Sequence, residues 1–130
     1  MALEEKTVLS INRRITSLAK HYKGTITFVW DGVEQTRNSE IGLIKRFLNV
    51  SVKLGTNEST SNSITASIEK VNSEQKLIYT YLNTPRAELQ NRSAIHYGTA
   101  MLCVDDSKKV TGNYYTSRLT RGSMMFQAVE

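Results

Sequence analysis

The clearest structural signal in this chain is the segment Gly112-Asn113-Tyr114-Tyr115-Thr116-Ser117-Arg118, which has the composition of a β-strand. Alternate side chains of a strand point to the same side, so Tyr114, Thr116 and Arg118 share one face. Polar and aromatic groups therefore stand where a packed core would carry valine, isoleucine or leucine. If this face is internal, the Arg118 guanidinium is buried and needs an anionic or well hydrogen-bonded partner, such as a ligand phosphate. The alternative is an edge strand from which Arg118 extends to water.

Segments of the same kind recur along the chain at nearly regular spacing. They are separated by turn signals such as Asp31-Gly32, and no helix alternates with them. The predicted strands cover residues 25–30, 48–54, 64–68, 76–82, 96–104, 110–120 and 123–129, while residues 41–47 are ambiguous in type and residues 55–63 are predicted to form a polar turn. About seven or eight short strands predict a mostly β fold, either an antiparallel barrel or a sandwich.

Residues 3–21 precede the first strand and are predicted to form an amphipathic helix. Its apolar positions recur at three- and four-residue steps and lie on one stripe, made of Val8, Ile11, Ile15 and Leu18. Gly24 is well suited to end such a helix, because glycine adopts the left-handed conformation without strain.

Composition indicates a single domain with a basic surface. The chain has 130 residues and a net charge of +5, which favours anionic partners. Its one cysteine, Cys103, cannot form an internal disulfide, and a reducing cytoplasm is expected. Because Cys103 stands in the apolar run Ala100-Met101-Leu102-Cys103-Val104, a buried structural thiol is expected. No apolar run approaches the roughly 20 residues that span a bilayer, and there is no signal-peptide pattern. The chain as given is expected to be soluble.

Catalytic and metal-binding patterns are weak. The two histidines, His21 and His96, are far apart, and no pair of histidines or cysteines has the spacing of metal ligands. The pair Asp105-Asp106 is flanked by lysines, and a solvated turn explains it better than acid–base catalysis does. The sequence has no nucleophile-elbow, phosphate-loop or dinucleotide-binding glycine motif. It therefore predicts a protein that is not an enzyme and that uses neither a metal nor a cofactor.

Polar and aromatic residues alternate on three of the predicted strands. The sets are Tyr79, Tyr81 and Asn83, then His96, Gly98 and Ala100, then Tyr114, Thr116 and Arg118. Tyrosine can stack on a base, asparagine can read a base edge and arginine can bind a phosphate, while the small residues leave space opposite the tyrosines. Two interpretations are open at this point: a nucleotide pocket, or a barrel core whose tyrosine hydroxyls reach the rim.

The order of these residues resembles a known family. An ordered pattern of residues is similar to the β-barrel domain of the two-transmembrane, β-strand-rich effectors of CBASS anti-phage defence. It consists of Leu77-x-Tyr79-x-Tyr81-x-Asn83-x-Pro85, then His96-x-Gly98 with Leu102, then Gly112-x-Tyr114-x-Thr116-x-Arg118 and Gly122. The run Val50-x-Val52-x-Leu54-x-Thr56, followed by Ser59, Ser61 and Ser63, resembles the same domain. The resemblance extends from residue 24 to the C-terminus.

The resemblance implies a compact, antiparallel, eight-stranded lipocalin-like β-barrel over residues 24–130, preceded by a helical connector over residues 1–23. In that family the barrel binds a cyclic dinucleotide that a cognate nucleotidyltransferase makes on infection. Binding drives self-association of two transmembrane helices, which disrupts the bacterial inner membrane. The resemblance thus implies a sensor that faces the cytoplasm in a full-length inner-membrane protein. The transmembrane pair is absent from the sequence given, so residues 3–21 are expected to connect the barrel to it.

The resemblance also implies which residues bind the ligand. These are Arg118, Tyr81, Asn83, Tyr79, Thr116, Tyr114, His96, Trp30 and Thr56. Arg118 is expected to contact a phosphate. Tyr81 or Tyr79 is expected to stack on a base, and Asn83 to bond a base edge or a ribose.

Two other functions fit a small basic β-barrel. A carrier of a small apolar ligand would share the architecture, but its interior would hold fewer tyrosines and no arginine for a phosphate. A barrel for single-stranded nucleic acid would use the same charge and aromatic groups, but along a long exposed groove. The salt dependence of binding distinguishes a nucleic-acid strand from a dinucleotide. Binding of a dinucleotide, which carries two phosphates, should weaken mildly with salt, whereas binding of a long strand should weaken steeply. A DNA or RNA polymer is therefore not expected as the partner.

Overall fold

The computed structural model describes residues 5–91, 93–105 and 108–129 of the chain. The elements in these ranges are α1 (Glu5–Ser17), β1 (His21–Trp30), β2 (Val33–Arg46), β3 (Asn49–Gly55), β4 (Ser59–Val71), β5 (Glu74–Pro85), a short 3₁₀ helix (Ala87–Leu89), β6 (His96–Val104), β7 (Lys109–Thr116) and β8 (Arg121–Ala128). Each strand pairs antiparallel with the next, and β8 pairs with β1, so the sheet closes into a barrel. This confirms the predicted mostly β, antiparallel eight-stranded barrel with an N-terminal helix.

The order of the strands gives the barrel two different ends. Helix α1 lies at the end where β2 finishes and β5 starts: Lys45 Nζ donates to the carbonyl oxygen of Leu18 (2.6 Å), and Gln75 Nε2 donates to that of Arg14 (3.2 Å). A cation is favoured beside the carbonyls at a helix C-terminus, so Lys45 stabilises this docking. Ile15 and Leu18 are buried in the barrel core. At the opposite end, β1, β3, β5 and β7 finish, and we call this end the mouth.

The apolar core fills the half of the barrel next to α1. It is made mainly of inward-facing residues from the strand ends on that side: Tyr22, Ile41, Leu43, Val50, Val52, Ile68, Leu77, Leu102, Val110 and Phe126. Apolar side chains that alternate along a strand are the signal that predicted β3, β5 and β6. The mouth half has a different interior.

The helix is shorter than its pattern predicts. It ends at Ser17, and β1 begins at His21, inside the segment expected to be helical. Gly24 does not end the helix but lies within β1, where a Cβ atom would stand 1.9 Å from the carbonyl oxygen of Met125 on β8. Glycine is needed there for the close approach of two strands. In the described part of the chain, no helix is long and apolar enough to cross a membrane.

Several strands extend beyond the predicted segments, and two of the extensions bear on the interior of the mouth. β2 includes residues 33–40, and β4 includes residues 59–63, which the sequence assigned to a polar turn. Both extensions lie at the mouth and bury polar side chains: Ser39 is 4% exposed and Ser61 is 6% exposed. Because these inner positions are polar, the extensions lack the apolar alternation by which a half-buried strand is recognised.

Candidate ligand-binding site

A cavity of about 340 Å³ opens at the mouth of the barrel. Its volume lies at the lower end of the range for small-molecule sites, roughly 300–1,000 Å³. A ligand of dinucleotide size would therefore fill it and extend to solvent. The wall is formed by the mouth ends of the strands and by the segments that connect them.

Three tyrosines form much of the inner wall. Tyr79 and Tyr81 are 2% and 5% exposed, and their ring centroids lie 5.7 Å apart with the ring planes tilted by 51°. Tyr114 is half-buried on β7. Burial raises the pKa of all three hydroxyls, so they are neutral hydrogen-bonding groups at physiological pH. The Tyr79 hydroxyl is buried without a hydrogen-bond partner among the described residues, which makes it a group that a ligand could satisfy.

Two glycines make room for these rings. Gly98 on β6 lies opposite Tyr81, and Gly122 on β8 lies opposite Tyr114. A Cβ atom at Gly98 would stand 2.3 Å from the Tyr81 ring, and one at Gly122 would stand 2.4 Å from the Tyr114 ring. Each ring therefore covers the backbone of a glycine, as the sequence predicted for Gly98.

Asn83 is held by two serines. Its Nδ2 donates to the hydroxyl oxygens of Ser59 (3.1 Å) and Ser61 (2.7 Å). These bonds fix the side-chain amide and leave its Oδ1 as an acceptor for a ligand N–H or O–H group. The serines belong to the extension of β4 that the sequence did not predict.

His96 lies opposite Asn83 on the neighbouring strand. Its side chain is buried, and Nδ1 donates to the carbonyl oxygen of Ala94 (2.9 Å). This bond selects the tautomer in which Nε2 is the acceptor. The pKa of His96 is lowered chiefly by burial, with the Arg118 charge acting in the same direction and the bond to Ala94 opposing.

Arg118 lies at the edge of the mouth, in the turn between β7 and β8. The prediction that it continues the strand was wrong, because β7 ends at Thr116. The backbone N–H groups of Arg118 and Thr120 each donate to Thr116 Oγ1 (both 3.3 Å), which shapes the turn. The side chain is exposed rather than buried, and its Nη1 donates to the hydroxyl of Ser93 (3.2 Å). Arg118 is thus a cation at the entrance of the cavity.

Trp30 and Thr56 complete the predicted set at the rim. Trp30 ends β1 and is 51% exposed. Thr56 follows β3, and its Oγ1 accepts the backbone N–H groups of Glu58 (3.1 Å) and Ser59 (3.2 Å). Thr56 therefore shapes the β3–β4 connection, as Thr116 shapes the turn that carries Arg118.

A second arginine, Arg37 on β2, also lines the cavity. Its Nε donates to Glu58 Oε1 (2.6 Å), and its guanidinium lies 5.6 Å from the centroid of the Phe28 ring. Both partners of this ion pair are partly exposed. Among the described residues, the cavity lining therefore includes two arginines, one of them paired with a carboxylate.

Comparison with known proteins gives one consistent result. Residues 15–128 match the family model described as "Cap15, cyclic dinucleotide receptor domain". The chain is also 31% identical over 109 residues to CD-NTase-associated protein 15 of Staphylococcus schleiferi. The chain belongs to the Cap15 family of cyclic dinucleotide receptor domains. This result confirms the resemblance to the barrel domain of CBASS effectors that the sequence analysis identified. The alignment covers 84% of this chain and 59% of the staphylococcal protein, so the chain spans about three-fifths of that relative.

The structure brings all the predicted Cap15 site residues together. Arg118, Tyr81, Asn83, Tyr79, Thr116, Tyr114, His96, Trp30 and Thr56 all line the one cavity at the mouth. Contact of each residue with a ligand stays a prediction.

Sequence reasoning missed the β2 side of the cavity. The extension of β2 has no apolar alternation, so Arg37 could not be placed on a strand. The turn signal at Asp31-Gly32 could have predicted this strand, because a hairpin fixes the register of the strand that follows it. That register sets Arg37 opposite Ile26, and both side chains line the cavity.

Substituting Gly98 with alanine should displace the Tyr81 ring. The new methyl group would overlap the ring, and overpacking of this kind costs about 1–3 kcal/mol of unfolding free energy. We expect a lower midpoint in urea denaturation and weaker binding of nucleotide. Gly42→Ala is the matched control, because a Cβ atom there meets only His21 Nδ1 at 4.0 Å. Equal midpoints for the two variants would contradict this account of Gly98.

Acid should destabilise the barrel partly through His96. Its pKa in the folded state is below the ordinary 6.5, so the unfolded chain binds more protons as the pH falls through that value. The stability that His96 contributes is present above about pH 6.5 and is lost below it. Between pH 7.5 and 5, the Tm of His96→Asn should fall less than the Tm of wild type. An unchanged slope would contradict the prediction, and the exposed His21, replaced in the same way, is the control.

Proposed function

We propose that this chain is a sensor that binds one cyclic dinucleotide in the mouth of the barrel. The observation that carries the proposal is a single cavity with tyrosine rings inside and an exposed arginine at its entrance. Bases are planar and apolar on their faces, whereas the phosphates that join them are anionic. The cavity complements this arrangement, because its interior is aromatic and its rim is cationic. Membership of the Cap15 family supports the same ligand class.

The side chains suggest how such a ligand would be arranged. A base would stack on Tyr81 or Tyr79, within hydrogen-bond reach of the Tyr79 hydroxyl. Asn83 Oδ1 would accept from an exocyclic amine or a ribose hydroxyl. The sugar–phosphate ring would remain near the rim, where Arg118 binds a phosphate by charge-assisted hydrogen bonds.

The two alternative functions fit the cavity less well. A carrier for an apolar ligand would leave Asn83 Oδ1 beside a molecule that cannot hydrogen-bond to it. A nucleic-acid strand needs a groove open at both ends, but the core and α1 fill the barrel below the tyrosines.

In the full-length protein, we propose, the barrel acts as a receptor rather than a catalyst. A cognate nucleotidyltransferase would supply the cyclic dinucleotide. Binding would drive self-association of membrane segments and disruption of the inner membrane, with the barrel on the cytoplasmic side. Helix α1 lies at the end of the barrel away from the mouth, so it is placed to connect the sensor to those segments.

A thermal-shift panel tests the proposed ligand class. The panel contains cyclic di-AMP, cyclic di-GMP, cyclic GMP–AMP and cyclic UMP–AMP, with palmitate and a 20-nucleotide oligothymidine as competing classes. A ligand at about 100 times its Kd stabilises the folded state by about 2.7 kcal/mol, which raises the Tm of a domain of this size by roughly 10 °C. We expect this shift with at least one cyclic dinucleotide. A shift with palmitate or oligothymidine alone would overturn the proposal.

A further inference from the structure

We propose that Arg37 is a second phosphate-binding residue, and that Glu58 occupies its guanidinium until a phosphate of the ligand takes the place of the carboxylate. This inference rests on the proposed function. It adds a residue on the β2 wall, together with a carboxylate that competes for it, to a predicted site that has no residue on β2.

The guanidinium groups of the two arginines approach the mouth from different sides. Arg37 lies on β2, whereas the side chain of Arg118 extends from the β7–β8 turn to Ser93, in the segment that precedes β6. β2 and β6 are four strands apart in the closed eight-stranded sheet, so they face each other across the interior. The side chains of both arginines reach the same cavity.

A cyclic dinucleotide presents its charges in a matching way. Its two phosphodiesters lie on opposite sides of one macrocycle, and each carries a single negative charge. Of the described residues that line the cavity, Arg118 alone would leave the second phosphate without a cationic partner. Arg37 is the arginine on the wall that the second phosphate would face.

Arg37 is already oriented for this role. Its Nη1 donates to Gln35 Oε1 (3.3 Å) and to the carbonyl oxygen of Thr36 (3.2 Å), and its guanidinium lies over the ring of Phe28. A planar donor fork held on an aromatic face loses less conformational entropy on binding than a mobile side chain.

Glu58 is the group that a phosphate would have to displace. Its carboxylate accepts from Arg37 Nε at 2.6 Å and lines the cavity, where it would repel an anionic ligand. The pair is partly exposed, and exposed ion pairs contribute little to stability, so separation of the pair opposes binding only weakly. Its released carboxylate can turn to solvent.

Isothermal titration with the four cyclic dinucleotides of the panel tests this assignment. Arg37→Ala should weaken binding by about tenfold, the lower end of the range for a charge-assisted hydrogen bond. Binding by this variant should also weaken less on addition of salt than binding by wild type, because one fewer phosphate–arginine attraction is screened. Glu58→Gln should strengthen binding severalfold. Arg46→Ala is the matched control, since Arg46 lies on the same strand at the α1 end and bonds only Ser51 in the described chain.

The outcomes separate this inference from the proposed function. If wild type binds but Arg37→Ala has the same affinity and salt dependence, the role of Arg37 is overturned while the sensor function stands. Weaker binding by Glu58→Gln would overturn the competing role of Glu58. If wild type binds none of the four nucleotides, both proposals fall. An unchanged Tm of ligand-free Arg37→Ala would confirm that its effect is on binding and not on folding.

Discussion

Replacing Arg118 with alanine should weaken cyclic dinucleotide binding by about 10- to 100-fold, while the barrel stays folded. The arginine is exposed in a turn, and its one side-chain bond to the described residues is to Ser93, so its loss should change the unfolding free energy by no more than about 0.5 kcal/mol. A charge-assisted hydrogen bond to phosphate contributes about 1.5–3 kcal/mol to binding, which corresponds to that loss of affinity. Titration calorimetry measures the binding, and circular dichroism measures the Tm.

A neighbouring arginine provides the control. Arg121 is close in sequence and carries the same charge, but it lies on the exposed face of β8, outside the cavity lining. Arg121→Ala should bind normally, and Arg118→Lys should retain part of the affinity, because lysine keeps the charge but not the bidentate geometry. If both alanine variants bind as wild type does, the phosphate-binding role of Arg118 is wrong.

The fold was predictable wherever strand interiors are apolar. Along β6, buried positions alternate with exposed ones from His96 to Leu102, and the predicted and observed limits of that strand agree. Along β5, Leu77, Tyr79 and Tyr81 face inward as predicted. In both strands alternate side chains point into the barrel and out to solvent, and the sequence alternates in residue type accordingly.

The prediction failed where the interior becomes a site. At the mouth, the inner side chains of β2 and β4 include Arg37, Ser39, Ser59 and Ser61, so both faces of these strands are polar. A period-two hydrophobic pattern cannot exist there, although the backbone pairing continues. Polar inner residues that could bind a polar ligand thus replace the apolar residues whose alternation would have predicted these strands.

The site itself was found through the ordered motif and not through periodicity. Alternation alone left a nucleotide pocket and a tyrosine-filled core equally open, because both place Tyr79, Tyr81 and Tyr114 inside. The resemblance selected the residues that now line one cavity. It did not show that Arg118 lies in a turn and not in β7, because the strand ends at a turn closed by Thr116 and Thr120, which no alternation pattern predicts.

Replacing Tyr81 with alanine should abolish measurable nucleotide binding and destabilise the barrel. The ring is 5% exposed and covers Gly98, and loss of a buried aromatic side chain costs about 3–5 kcal/mol of unfolding free energy. Loss of stacking on a base costs about 1–3 kcal/mol of binding free energy in addition. Tyr81→Phe keeps the ring, so it should bind within about threefold of wild type.

A third substitution separates stacking from folding. Tyr81→Leu retains apolar volume but has no aromatic face, so it should stay folded and lose most of the affinity. Tyr97→Ala on β6 is the matched control, because this tyrosine is 56% exposed on the outer face of the barrel. Equal losses in Tyr81→Phe and Tyr81→Leu would show that the hydroxyl, and not the ring, contacts the ligand. Normal binding by Tyr81→Leu would show instead that filling the core is the only function of this side chain.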